Sequence, residues 1–120
     1  MKIVITAEGP NLKSPTDPRF GRAQYFLLVD SETGSFTAHD NAQNLNAAQG
    51  AGIQAAQTVV RLGAEAVITG NVGPKAFTTL QAGNVAVYTG ATGTAGDALE
   101  QWKSDRLQAA DKANVQGHWI

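Results

Sequence analysis

The chain has 120 residues, 42% of them hydrophobic and 16% charged, and its nine basic and ten acidic side chains leave a formal net charge of −1. That length builds a single core, the near-neutral balance makes no electrostatic case for duplex nucleic acid, and no run approaches the ~20 apolar residues that span a bilayer. Cysteine is absent, which excludes disulfides, zinc thiolates and cysteine-ligated iron–sulfur clusters.

Met1-Lys2-Ile3-Val4-Ile5-Thr6 enters a β-branched strand pattern without the apolar segment or cleavage site of a secretory signal, so cytoplasmic residence is expected. Residues 7–18 contain Gly9, Pro10, Pro15 and Pro18 and read as a long loop, expected to be mobile until a ligand orders it. Strands over 25–30 and 35–40 flank a turn at 31–34, forming an antiparallel hairpin. Asn41, Asn44 and Asn46 then suit turn and N-cap positions.

From about Ala48 the period becomes helical, with Ile53, Ala56, Val59 and Val60 on one face and Gln54, Gln57 and Arg61 on the other, and Gly63 as the stop. A short buried strand over 66–69 follows, then a helix over 74–82 ending at Gly83, and a buried strand over 85–88. The last helix runs from Thr94 to about Ser104, with Thr94 and Asp97 at capping-box spacing and Ala98, Leu99 and Trp102 inward. The polar stretch from Leu107 is expected to pack loosely, giving a domain over 1–105 and a tail over 106–120. A meander followed by right-handed crossovers predicts an α/β fold: a mixed five-stranded sheet of order 3-2-1-4-5, strand 2 antiparallel, with helices on both faces.

One pattern recurs: residues 67–73 and 87–93 both read V-x-T-G-x-x-G, each joining a strand to a helix. Thr69, Gly70, Asn71 and Gly73 in the first copy, with Gly90 and Gly93 in the second, can line an anion cradle of backbone N–H groups beyond the strand ends. The same glycines also suit plain tight turns. Pro74 at the first helical position puts Lys75 in the first turn, where a cation opposes the helix dipole unless an anion is held there. Before strand 2, Arg19 and Arg22 bracket Phe20 and Gly21; they can clamp an anion against an apolar Phe20 wall, or flank a core phenylalanine as solvated charges. His39 and His118 lack the spacing of a metal motif. No nucleophile elbow, HExxH, Walker lysine motif or G-x-G-x-x-G order is present, so a noncatalytic protein is expected.

The Arg19-Phe20-Gly21-Arg22-Ala23 element and the Ile68-Thr69-Gly70-Asn71-Val72-Gly73-Pro74-Lys75-Ala76 element, in this order, resemble the dinitrogenase iron–molybdenum cofactor biosynthesis family over about residues 1–105. The resemblance implies a ribonuclease H-like fold and a role in binding or carrying metal–sulfur cofactors or their precursors. For a single-domain, cysteine-free member it implies a noncovalently held molybdenum–copper sulfide cluster, with other molybdenum- or iron–sulfur species as relatives of that cargo. It also implies MinD-type ATPases as partner proteins. Members that handle nitrogenase cofactor commonly carry histidine where this chain has Arg19, which favours electrostatic capture over direct metal ligation. The alternatives are a phosphate- or nucleotide-binding regulatory module and a small hydrolase; nucleic-acid and membrane partners are not expected.

Overall fold

A computed structural model describes residues 1–42 and 50–113. The elements are β1 (Lys2–Ala7), β2 (Tyr25–Asp30), β3 (Phe36–Asp40), α1 (Ala51–Arg61), β4 (Ala66–Ile68), α2 (Pro74–Ala82), β5 (Ala86–Tyr88) and α3 (Ala95–Lys103). Asn44, Asn46, His118 and the expected helix start near Ala48 fall outside the described residues.

The strands form one sheet in the order β3-β2-β1-β4-β5, as the meander and crossover argument requires. β2 runs antiparallel to both neighbours, pairing Ile5 with Leu27 and Phe26 with His39. β1 pairs in parallel with β4, Val4 opposite Val67, and β4 in parallel with β5, Val67 opposite Val87.

Because side chains alternate along each strand, the sheet has two apolar faces. Val4, Phe26, Val67 and Val87 pack on Ala55, Ala56 and Val59 of α1 and Ala76, Phe77 and Leu80 of α2. Ile3, Ile5, Leu27 and Ile68 pack on Ala95, Ala98 and Leu99 of α3. Three layers result, and β1 and β4 lie buried in the middle.

Three expectations are corrected. The buried stripe of α1 is Ala51, Ala55, Ala56 and Val59, while Val60 is exposed; it lies over Gly83, in the seam between α1 and α2, instead of on the sheet. The stretch after α3 packs: Leu107 is buried among the α3-side residues, and Ala110 N–H donates to the Val87 carbonyl at 2.7 Å, because β5 has an open edge that takes a further strand-like partner. The long loop is tied down along its length. Glu8 N–H reaches the Pro15 carbonyl, Thr16 N–H the Gly93 carbonyl and Asp17 N–H the Thr6 carbonyl, all at 2.8–2.9 Å. Prolines removed donors from this loop but left its carbonyls available to α3.

Candidate functional site

The candidate site lies at the carboxyl ends of β1 and β4, where the chain leaves the sheet. Thr6, next to the last residue of β1, has its hydroxyl 2.8 Å from the Asp17 carbonyl and 2.8 Å from the Thr69 hydroxyl. Both threonines are buried, so the end of β1 is fastened to the loop before Arg19 and to the first glycine loop. Asp17 is also buried; its Oδ1 accepts from Arg19 N–H at 3.1 Å and its Oδ2 from Gln24 N–H at 3.2 Å. Arg19 Nε lies 3.5 Å from Oδ1.

The segment 19–23 is held between the two helices of one face. Arg19 and Asn71 form a parallel bridge, and the Pro18 carbonyl accepts from Asn71 N–H at 2.8 Å and from its side-chain amide at 3.2 Å. On the other side, a Cβ at Gly21 would lie 2.8 Å from the Gly52 Cα, so the segment touches the first turn of α1 backbone to backbone. Asn41 closes the arrangement from beneath: fully buried, it donates from its amide to the Gly21 and Ala23 carbonyls at 3.1 and 2.8 Å.

The two glycine loops are neighbours, with Gly90 N–H donating to the Gly70 carbonyl at 3.0 Å, but they are not equivalent. At α3 the three leading N–H groups are occupied: Ala95 donates to Ser14, Gly96 to Leu12 and Asp97 to the Thr94 hydroxyl. Asp97 completes a capping box by accepting from Thr94 N–H, which holds its carboxyl below the ordinary value, first through that N–H and then through the Thr94 hydroxyl. Gln101 clamps the middle of the loop through the Thr92 N–H and carbonyl. At α2 the N-cap is Gly73, which offers no side-chain cap, and the first turn carries no acidic residue. Pro74 has no N–H, so the orphan donors there are those of Lys75 and Ala76, and no described residue accepts from them.

Among the expected site residues, Arg19, Thr69, Gly70, Asn71, Gly73 and Lys75 therefore come together around the start of α2, with Lys75 exposed. Arg22, half-buried, sits in the 19–23 segment. Gly90 and Gly93 belong to the sealed loop. Phe20 does not fit the role of an apolar wall: it is fully buried and stacked on Phe26 with ring centroids 5.9 Å apart, because the segment folds inward at this residue to satisfy the core. Thr69 is buried, its hydroxyl turned to Thr6. Sequence reasoning missed Thr6, Asp17 and Asn41: Thr6 and Asn41 act through partners 11 to 63 positions away, whereas the Asp17 carboxylate meets Arg19 and Gln24, two and seven positions on; an acidic residue opening an otherwise basic segment was the one available signal. Among the described residues no group of three or more His, Asp or Glu side chains is placed to hold a metal ion.

The structure is a small α/β domain in which the loops leaving β1 and β4 meet where the strand order reverses, the place at which open α/β sheets commonly take ligands. Residues 1–105 match the family model described as dinitrogenase iron–molybdenum cofactor, and the chain belongs to that family. It is similar to the apo form of the orange protein from Desulfovibrio gigas, with 40% identity, a TM-score of 0.92 and coverage of 95% of this chain and 96% of that one. A Thermotoga protein of the DUF35 family, solved by NMR, is 34% identical with a TM-score of 0.83, covering 97% and 98% of the two chains. An uncharacterised protein of Methanocaldococcus jannaschii is 26% identical over 110 residues, 90% of each chain.

Proposed function

We propose that this chain is a noncatalytic carrier of a preassembled, anionic metal–sulfur cluster of the molybdenum–copper sulfide type, on a ribonuclease H-like frame. The observation that carries the reading is the uncapped start of α2, with Lys75 in its first turn and Arg19 held alongside by the Asn71 bridge. Family membership supports a cofactor-related role, and the similar Desulfovibrio gigas protein was solved in an apo form, which supports a bound group in the relative and, by this reading, in this chain.

The donor set suits such a cargo. A cluster whose metals are already saturated by sulfide needs no cysteine, and the chain has none. It needs N–H donors for sulfur and cations for its charge, and the α2 start with Lys75, Arg19 and Arg22 offers both. The orphan donors of α2 equally suit a phosphate group, which keeps a phosphate- or nucleotide-binding regulatory module as the second reading.

The test is reconstitution of wild type, Arg22→Ala, Lys75→Ala and Gly73→Val with tetrathiomolybdate and copper(I), followed by gel filtration and visible absorption of the protein fraction. Loss of one charge–anion contact costs about 1–3 kcal/mol, so retention should fall roughly 5- to 150-fold in either cation variant. Gly73 has φ −85° and ψ 170°, a conformation open to any residue, so its backbone does not oppose Gly73→Val, which should obstruct the approach to the α2 donors. Equal retention by all four proteins refutes the site. Displacement of the cluster by millimolar phosphate, with tighter binding of phosphate than of cluster, favours the second reading.

A further inference from the structure

We propose that Asp17 is a positioning residue of this site: its buried carboxylate holds the Arg19 guanidinium in one orientation, so that the arginine meets an anion as a directed fork of donors. The inference rests on the carrier reading above.

Asp17 is 1% exposed, and an ionised carboxylate is stable there only when paired and hydrogen-bonded. Among the described residues its three partners are all donors: Arg19 N–H, Arg19 Nε–H and Gln24 N–H. Only an acceptor-only group satisfies them from both oxygens; the amide nitrogen of an asparagine would face a donor on one side. Asp17 is fixed in turn through its main chain, with its N–H on the Thr6 carbonyl and its carbonyl against the Thr6 hydroxyl. The carboxylate is thus anchored to the end of β1, and Arg19 to the carboxylate.

For Arg19 the consequence is directional. Its side chain is 43% exposed, and the contact uses Nε, leaving the Nη groups, from which no described residue accepts. A guanidinium held at Nε, here 3.5 Å from the Asp17 Oδ1, offers its Nη donors in a planar fork, which a flexible ammonium does not. Charge and position make opposite demands. Asp17 neutralises Arg19, so if charge alone governed the site, removing this carboxylate would improve anion retention. If position governs it, removal weakens retention although the net charge becomes more positive.

The experiment loads wild type, Asp17→Asn, Arg19→Ala, Arg19→Lys and the double variant Asp17→Asn/Arg19→Ala with tetrathiomolybdate and copper(I), and measures cluster retention by equilibrium dialysis. Asp17→Asn and Arg19→Lys should each lose about tenfold, and the double variant should be no weaker than Arg19→Ala, because Asp17 acts only through Arg19. A readout without cargo accompanies these: the Arg19 Nε–H resonance should stand apart from those of solvated arginines in wild type and join them in Asp17→Asn, while amide signals outside 17–24 stay in place. Retention in Asp17→Asn equal to or better than wild type, with Arg19→Lys unimpaired, overturns the inference alone. Failure of wild type to retain cluster overturns the carrier reading and the inference together. Should Asp17→Asn not fold, Arg19→Lys, at an exposed side chain, decides the question by itself.

Discussion

A single methyl group added at Gly70 separates a glycine kept for a ligand from one kept for the protein's own backbone. A Cβ there would lie 2.7 Å from the Pro18 Cα and 2.8 Å from the Pro18 carbonyl oxygen, about 0.7 Å short of ordinary contact. Pro18 cannot retreat cheaply, since its carbonyl accepts two bonds from Asn71 and the preceding residue is bonded to Thr6 at both N–H and carbonyl. Overpacking of this kind costs roughly 1–3 kcal/mol, and the strained Asn71–Pro18 bond adds about 1. The control is Gly90→Ala in the second copy of the repeat, where φ is +84° and nothing lies within 4 Å; the left-handed backbone alone then costs about 1–2 kcal/mol. Urea denaturation of both variants, with unchanged m-values, should give Gly70→Ala the lower midpoint. Gly70→Ala should also displace the amide resonances of 17–19. If it is no less stable than Gly90→Ala, the 17–19 segment is not docked on the first glycine loop and the site geometry described above is wrong.

Other substitutions probe the parts separately. Phe20→Ala, at a fully buried ring stacked on Phe26, should cost about 3–5 kcal/mol of unfolding free energy in chemical denaturation. Asn41→Ala should cost about 1–3 kcal/mol by leaving the Gly21 and Ala23 carbonyls without their donor, and should raise hydrogen exchange at 21–23. Thr94→Ala should lower stability by about 1 kcal/mol as the α3 cap is lost. Asp97 has a depressed carboxyl pKa, so its contribution is present above the unfolded-state pKa and disappears as pH falls through the folded one; Asp97→Asn should flatten the stability curve below about pH 4 and leave the pH dependence near neutrality unchanged. Leu107→Ala should cost about 2–5 kcal/mol if the stretch after α3 belongs to the core, and no more than a few tenths if it is loosely attached.

Local chemistry was legible where it depends on neighbours in the chain. The β-branched run at 2–6, the hairpin turn at 31–34, Pro74 opening α2 and the Thr94/Asp97 capping box each follow from interactions within a few residues, and each is found in the structure. The strand order also followed, because a meander and two right-handed crossovers leave few ways to arrange five strands. Family membership was readable from two short elements in a given order, since both keep their residue types together along the chain.

What the chain order could not determine was the physical cause that makes two loops with the same V-x-T-G-x-x-G pattern unequal. In the sequence, Lys75 after the first copy and the Arg19 to Arg22 segment already favour 67–73 over 87–93 as the anion site, but they do not tell which backbone donors are left available. The fold lays Leu12 and Ser14 over the start of α3 and fills its donors, while nothing described fills those at the start of α2. In the same way, Val60 matches the inward period of α1 but lies over Gly83 in the helix seam, and Asp17 looks like a surface residue until Thr6, Arg19 and Gln24 enclose it. Backbone donors carry no side-chain signature, and whether one is available depends on which carbonyl the tertiary fold brings against it. That is why the sequence could point to the first glycine loop, while the occupied donors of its twin became visible only in three dimensions.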